Sequence, residues 1–225
     1  MHNGDLLPTL PLDRVGQKWG WRLELAENLP QVAEAVRKGQ RVAVFQDAGR
    51  PRWWEPYGPW PHSFERIETW PTDARWEALL VISDRLLSLL PAGLRQRILI
   101  YRPPSLMVGV ACRRGVRQEE LEECLATLFD RHRLCLASLT GLAGSVRKKH
   151  EAGVVGLAED RAIPFLTYAK DKLLLAQAAR AAPRQVKAAG ACEPAALLAA
   201  GVTELVVPKT LFRRVSLAVA RRPFA

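Results

Sequence analysis

The sequence has few of the features that mark several common classes of protein. It holds four cysteines, and none of them forms a Cys-x-x-Cys pair, so the spacing typical of zinc ligands is missing. No apolar run approaches the ~20 residues that a membrane-spanning helix needs. The first residues have neither the basic nor the apolar region of a secretory signal. These absences predict a soluble cytoplasmic protein with reduced cysteines, no bound metal and no membrane contact.

Frequent enzyme signatures are missing as well. The sequence contains no GxxxxGK[ST] loop, no GxGxxG fingerprint, no HExxH and no GxSxG elbow. Nothing in it resembles a helix-turn-helix or an RNA-binding signature. We therefore expect no cofactor and no nucleic-acid partner, and we set aside the common nucleotide enzymes, zinc proteases and serine hydrolases.

The charge that the sequence does have is placed unevenly. The 225 residues carry a net charge of +10. Residues 1–100 hold 13 Lys/Arg against 12 Asp/Glu, a net +1, whereas residues 101–225 hold 20 against 11, a net +9. A basic C-terminal half favours an acidic partner. Nucleic acid, a phosphate ligand or a polycarboxylate would each satisfy that charge.

Two α/β regions are predicted, with a boundary near Pro103-Pro104. In residues 1–103, a helix and three strands flank a segment rich in tryptophan and proline at 50–76, which we interpret as an ordered extended loop. In residues 104–225, strands alternate with helices, which indicates a layered α/β domain. The main elements of the second region are Leu106–Cys112, Gln118–His132, Gly153–Arg161, Ile163–Tyr168, Glu193–Ala200, Thr203–Val207 and Val215–Arg221.

The first candidate site segment is Gly109–Gly115, which joins a buried strand to the strongest predicted helix. Ligands of open α/β sheets bind beyond the carboxyl ends of the strands, and helix N-termini offer free N–H groups to anions. Arg113 and Arg114 are suited to hold carboxylates there in bidentate fashion. The alternative is a solvated basic loop paired with nearby glutamates. Cys112 either touches the ligand or fills the sheet core.

The second segment runs from Ser145 to Gly153 and places Lys148, His150 and Glu151 just ahead of a helix. These three residue types can all act as general acid or base. Ser145 either caps a turn or contacts a ligand. An exposed polar linker is the alternative interpretation of this charged run.

The third segment is Val206–Leu211, in which we predict a strand that ends at Pro208. Lys209 would then lie at the carboxyl edge of its strand, the same kind of edge as the Arg113–Arg114 loop. We expect the three cationic segments to converge on one rim.

Six segments in order resemble the cobalt-precorrin-5A hydrolase (CbiG) family. Gly109–Gly115 resembles its GVGCRRG signature, and Lys148–Gly153 resembles its lysine–acid–glycine stretch. Residues 104–225 are also similar to CobE, a free-standing C-terminal domain. The remaining matches are Leu10–Glu24, Gly39–Gly49, Cys192–Gly201 and Thr203–Arg221. The resemblance implies a layered α/β/α C-terminal domain with a mixed sheet, preceded by a smaller α/β segment like the family's central region.

The resemblance also implies an activity in cobalamin biosynthesis. The family opens the ring-A δ-lactone of cobalt-precorrin-5A, a cobalt-containing tetrapyrrole with many carboxylates, and releases acetaldehyde to give cobalt-precorrin-5B. On that basis Lys148, Glu151 and His150 are the acid–base candidates. The substrate-binding candidates are Cys112, Arg113, Arg114, Ser145 and Lys209.

The sequence departs from the family pattern at its N-terminus and at position 150. Family members usually begin with a further α/β domain, and Met1 falls about where that domain should end. We therefore expect a separate N-terminal domain or neighbouring pathway enzymes as partners. His150 stands where the family has an aspartate. A non-catalytic module that holds or passes on corrinoid intermediates is the alternative function, and an unrelated nucleic-acid-binding protein is a third.

Overall fold

The computed structural model describes residues 10–71, 75–87, 92–178 and 190–223. The chain folds into two compact units, one that reaches Pro104 and one formed by Ser105–Pro223. Each unit has its own sheet and its own apolar core.

The first unit is built on a five-stranded sheet with the order β1-β5-β4-β2-β3. Strands β2 to β5 are parallel, and β1 is antiparallel to β5. Helix α1 packs on one face, where Val32 and Ala35 join the core, because their spacing places them on one side of the helix. The elements are β1 (Arg22–Glu24), α1 (Leu29–Arg37), β2 (Val42–Gln46), β3 (Phe64–Ile67), β4 (Ala78–Ile82) and β5 (Ile98–Arg102).

The segment interpreted as a tryptophan- and proline-rich loop contains strand β3, which pairs with β2 in parallel. Before the strand, the chain is held by aromatic rings. Trp53 is fully buried, and the centroids of Trp54 and Trp60 are 4.7 Å apart in an edge-to-face arrangement. Such pairs are stabilising beyond the area they bury, which explains how a proline-rich segment remains ordered.

The second unit has a mixed five-stranded sheet with the order β8-β7-β6-β10-β9. Strands β6, β7 and β8 are parallel, and β10 is antiparallel to both β6 and β9. The elements are β6 (Leu106–Cys112), α2 (Gln118–Arg131), β7 (Leu139–Ser145), α3 (Ala152–Asp160), β8 (Phe165–Tyr168), α4 (Lys170–Ala178), α5 (Cys192–Ala200), β9 (Val207–Leu211) and β10 (Val215–Arg221).

Helices cover both faces of this sheet. Leu121 and Leu125 of α2 and Leu157 of α3 pack on one face. Ala196 of α5 and Leu173 of α4 pack on the other. The predicted layered α/β/α arrangement with a mixed sheet, preceded by a smaller α/β region, is confirmed.

Two strands of the second unit differ from prediction. Strand β7, in the middle of the parallel part, was not predicted. The strand predicted at Thr203–Val207 is wrong, because β9 begins at Val207 and contains Pro208 and Lys209. Proline is tolerated in β9 because β9 is an edge strand, where one side of the backbone needs no ladder partner.

Candidate functional site

The carboxyl ends of β6 and β7 lie side by side, because Gly109 of β6 is in register with Ala143 of β7. The loop at 113–117 leaves β6, and the turn at 146–151 leaves β7. The turn between β9 and β10 lies at the same edge, since Val215 pairs with Cys112. Two of the three predicted site segments therefore meet at this edge, which we call the carboxyl-edge site.

A Lys148–Glu151 ion pair is the centre of the site. Lys148 Nζ lies 2.7 Å from Glu151 Oε2, and the two side chains keep only 19% and 10% of their exposure. Ser145 Oγ accepts a hydrogen bond from the Arg147 N–H and starts a 3-10 helix over Val146–Lys148. Ser145 therefore has the capping role, and the cap places Lys148 one turn before Glu151.

Glu151 also holds the loop that follows β6. Its Oε1 accepts a hydrogen bond of 2.5 Å from the Gly115 N–H. The Lys148 hydrogen bond, assisted by the backbone N–H groups of Gly115 and Val116, lowers the pKa of the Glu151 carboxyl below its ordinary value. The carboxylate is thus kept ionised and joins the two loops.

Two glycines make this junction possible. Gly115 has φ of 70°, a left-handed conformation that side chains rarely adopt. Gly153, in the first turn of α3, lies so close to the loop that a Cβ there would be 2.3 Å from the Val116 carbonyl oxygen. The family-like glycine at 153 is therefore explained by close packing of α3 against the β6–α2 loop.

Cys112 ends β6 and is half-buried beside the ion pair. Burial raises the pKa of its thiol, while the Lys148 ammonium, which donates a hydrogen bond to it, acts in the opposite direction. Cys112 also packs against the core cluster on the α2–α3 face. It thus contacts both the core and the candidate site.

Arg113 and Arg114 are exposed at the edge, and neither guanidinium pairs with a carboxylate within the described residues. Their loop is braced from behind by Arg214, whose Nη2 donates to the Arg114 carbonyl at 2.9 Å and the Gly115 carbonyl at 3.1 Å. Arg214 also pairs with Glu120 at 3.3 Å. The alternative interpretation was a basic loop paired with nearby glutamates. One of these, Glu120, pairs with Arg214 instead, and Arg113 and Arg114 remain available to a ligand.

Arg214 was missed as a site residue by sequence reasoning. Its only signal was the Arg213-Arg214 pair in the turn between two strands. The pairing of β10 with β6 was needed to bring that turn next to the β6–α2 loop, where the Arg113 N–H donates to the Arg214 carbonyl at 2.9 Å.

The other two predicted residues do not join the ion pair. His150 is exposed and, within the described residues, has no hydrogen bond to Lys148 or Glu151. Lys209 lies inside β9, not after it, and it contacts the start of α5 on the opposite face. Its N–H donates to Glu193 Oε1 at 2.9 Å, and a Cβ at Gly190 would be 3.2 Å from its Nζ. Only two of the three cationic segments that were expected to converge therefore do so, and Lys209 lies apart from them.

Neither a metal site nor a membrane span is found in the part of the chain that the structure describes. No cluster of three or more His, Cys, Asp and Glu side chains is arranged to hold a metal ion there. No described helix combines the length and apolar character required to cross a bilayer.

The fold and this edge define a protein with two α/β units, the second of which carries a cation-lined candidate site beyond its parallel strands. Residues 106–220 match the family model described as "Cobalamin synthesis G C-terminus", and residues 10–103 match the "Cobalamin biosynthesis central region". The chain belongs to this cobalamin biosynthesis family, and the resemblance inferred from the sequence is confirmed.

Individual relatives come from the same pathway. The curated cobalt-precorrin-5A hydrolase of Priestia megaterium is 28% identical over 225 residues, which cover 98% of this chain and 60% of that protein. CobE, a protein from the cobalamin (vitamin B12) biosynthetic pathway, is 30% identical over 53% of this chain and 92% of its own, with a TM-score of 0.46. The cobalamin biosynthesis protein chiG from Agrobacterium tumefaciens str. C58 is 24% identical over 52% and 98%, with a TM-score of 0.44. The chain thus spans about 60% of the length of the curated relative.

Proposed function

We propose that this chain acts in cobalamin biosynthesis as a cobalt-precorrin-5A hydrolase and that its carboxyl-edge site opens the ring-A δ-lactone and releases acetaldehyde. The observation that carries the proposal is the Lys148–Glu151 pair, held between two loops beside two arginines that have no carboxylate partner among the described residues. Family membership and the similarity to a curated hydrolase support it.

Substrate binding is assigned to the arginines. The substrate is a polycarboxylate, and a guanidinium binds a carboxylate through two parallel N–H donors. Arg113 and Arg114 project from a loop that Arg214 and Glu151 hold in place. The cobalt ion belongs to the substrate in this proposal.

Lactone opening needs an activated water and a positive group near the developing oxyanion. Water adds to the lactone carbonyl, the ring C–O bond breaks, and a carboxylate and a hydroxyl are formed. Lys148 is the group suited to stabilise the oxyanion, because Glu151 holds its ammonium at the edge. Glu151, whose pKa is lowered, is better suited to position Lys148 than to carry a proton at neutral pH.

Acetaldehyde release follows from the freed hydroxyl. When that hydroxyl loses its proton, a C=O bond forms, the adjacent C–C bond breaks, and the electron pair passes to the macrocycle, which takes up a proton. The net reaction consumes one water and releases one acetaldehyde. His150, exposed next to the pair, remains the predicted candidate to accept that proton.

The decisive experiment is an acetaldehyde assay with cobalt-precorrin-5A, with this chain alone and again with a family N-terminal domain added. Acetaldehyde in either mixture supports the hydrolase. Binding of the tetrapyrrole without acetaldehyde in both mixtures would contradict it and favour the carrier function.

Variants assign the roles. Arg113→Gln and Arg114→Gln should each raise KM about tenfold or more, because a hydrogen bond to a charged group contributes about 1.5–3 kcal/mol. Lys148→Met should lower kcat with little change in KM. Arg131→Gln, on the exposed last turn of α2, is the matched control and should leave both constants unchanged. Wild-type turnover in Lys148→Met would remove that residue from the mechanism.

A further inference from the structure

The first unit has a cleft that the proposed function does not use. It has a volume of about 510 Å³ and lies where β2 and β3 end, lined by Gln46, Asp47, Trp60, Arg66 and Ile67 among others. The lining comes mainly from β2, β3 and the loop that follows β2, so the cleft lies towards the carboxyl ends of two adjacent parallel strands. Open α/β sheets bind ligands beyond that edge.

The loop that borders the cleft is fixed before any ligand arrives. Gln46 Nε2 donates to the Ala48 carbonyl at 3.0 Å and to the Arg50 carbonyl at 2.9 Å, which leaves its amide oxygen as an acceptor. Gly49 has φ of +74°, and a Cβ there would meet the Trp21 ring at 2.6 Å. A preorganised loop reduces the ordering cost of binding.

The segment that follows β4 is held in place by buried polar contacts. Arg102, which is 4% exposed, donates to the Ser83 carbonyl at 3.0 Å and pairs with Glu24 at 2.9 Å. Ser83 is fully buried, and Arg85 reaches across to Asp47 at 3.3 Å. The Asp47 carboxylate is thus neutralised by a protein cation.

Arg66 is the cation that faces the cleft. Its guanidinium carbon lies 4.3 Å from the Trp54 ring centroid and 4.5 Å from the Trp60 centroid. Both contacts are cation–π interactions, made with two rings that are nearly perpendicular to each other, at 79°. Within the described residues no carboxylate pairs with Arg66, whereas Trp60 is held by its own hydrogen bond to the Phe64 carbonyl at 2.9 Å.

We propose that this cleft binds a carboxylate ligand with an aromatic or other apolar body. Arg66 takes the carboxylate, Trp60 and Ile67 contact the apolar body, and the Gln46 amide oxygen accepts a hydrogen bond from the ligand. The proposal does not depend on the reaction assigned to the carboxyl-edge site.

The test is a titration of the full ¹⁵N-labelled chain with 3-phenylpropionate, followed by the NMR signals of the indole N–H groups. A saturable shift of the Trp54 or Trp60 signal is expected. The matched neutral probe, methyl 3-phenylpropionate, has no hydrogen-bond donor either and should bind at least about tenfold more weakly, because a charge-assisted hydrogen bond is lost. Equal binding of acid and ester, or no saturable shift, would overturn the proposal.

Variants of Arg66 test whether its guanidinium binds the ligand carboxylate. Arg66→Gln should weaken binding about tenfold or more, and Arg66→Lys should recover only part of it because lysine lacks the planar fork. Arg75→Gln is the control, since Arg75 also stacks on an indole, 4.2 Å from Trp76, but does not line the cleft. Unchanged affinity in Arg66→Gln, with a wild-type far-UV circular dichroism spectrum, would also overturn the proposal.

A competition with coproporphyrin separates two sources of the carboxylate. Its four propionates carry the same group on a large ring. Displacement of 3-phenylpropionate by a lower concentration of coproporphyrin would support a tetrapyrrole side chain as the ligand, and the lack of displacement would support a small free acid.

Discussion

Glu151 joins two loops through one carboxylate, so its protonation should be linked to the stability of the second unit. Its folded pKa lies below its ordinary value because of the Lys148 hydrogen bond and the backbone N–H groups. A lowered pKa means that the stabilisation is present above the unfolded value of about 4.3 and is lost as the pH falls through the folded pKa.

Glu151→Gln should therefore lower the free energy of unfolding by about 1–3 kcal/mol at pH 7, and the difference from wild type should shrink in acid. Urea unfolding followed by far-UV circular dichroism between pH 7 and 3 measures this. Glu159→Gln, at an exposed position of α3, is the control. A difference that stays constant down to pH 3 would contradict the linkage.

Cys112 provides a second reporter of the same ion pair. Burial raises the pKa of its thiol, and Lys148 lowers it. Since the thiolate is the reactive form, Lys148→Met should slow alkylation of Cys112 by iodoacetamide and shift its onset to higher pH.

Peptide-level mass spectrometry between pH 7 and 10 measures that rate. Cys192, whose pKa is raised by burial to about 11, is a slow internal reference. Lys149→Met, at the exposed neighbouring position, should leave the rate unchanged. Faster modification in Lys148→Met would show that access, not charge, controls the thiol.

At the scale of elements, helix α3 contains two glycines with different surroundings. A Cβ at Gly153 would meet the Val116 carbonyl oxygen at 2.3 Å, a backbone atom that cannot move freely. A Cβ at Gly156 would meet Gln118 Oε1 at 2.4 Å, the end of a flexible side chain. Replacement by alanine should therefore destabilise the protein at Gly153 but not at Gly156, one turn later in the helix.

Gly153→Ala should lower the free energy of unfolding by about 1–3 kcal/mol, as overpacking does. Gly156→Ala should be neutral or stabilising by up to about 1 kcal/mol, because alanine favours the helix. Urea unfolding by far-UV circular dichroism compares them. Equal losses in both variants would mean that the Gly153 contact is not tight.

The elements also show what the sequence could predict. Strands Leu106–Cys112 and Val215–Arg221 are predicted with their observed bounds, because continuous apolar runs mark buried strands. Strand β7 was missed since Gly141 and Gly144 weaken its strand character. A Cβ at Gly141 would lie 2.8 Å from the Met107 side chain, so these glycines serve packing that only the neighbouring strand reveals.

The candidate site could likewise be predicted only in part. Arg113 and Arg114 follow a recognisable buried strand, so their edge could be inferred. The pairing of Lys148 with Glu151 depended on a three-residue spacing and a turn that Ser145 starts. Lys209 and Arg214 could not be placed, because the register of β9 and β10 is set by long-range pairing and not by local pattern.

At the scale of the whole molecule, each unit has its own core, and the seven tryptophans all lie between residues 19 and 76. Tryptophan fluorescence therefore reports on the first unit alone, whereas far-UV circular dichroism reports on both. Gly109 of β6 gives a way to perturb the second unit only. A Cβ there would lie 1.8 Å from the Cys192 carbonyl oxygen and 2.9 Å from the Ala196 nitrogen, both backbone atoms of α5.

Gly109→Ala should lower the urea midpoint of the second unit, at a cost of about 1–3 kcal/mol or more, while the fluorescence midpoint stays at its wild-type value. Parallel urea titrations with both signals measure this. If the fluorescence midpoint falls together with the dichroism signal, the chain unfolds as one cooperative unit. Separate midpoints would mean that variants of the carboxyl-edge site can be checked for folding by dichroism, and variants of the Arg66 cleft by fluorescence.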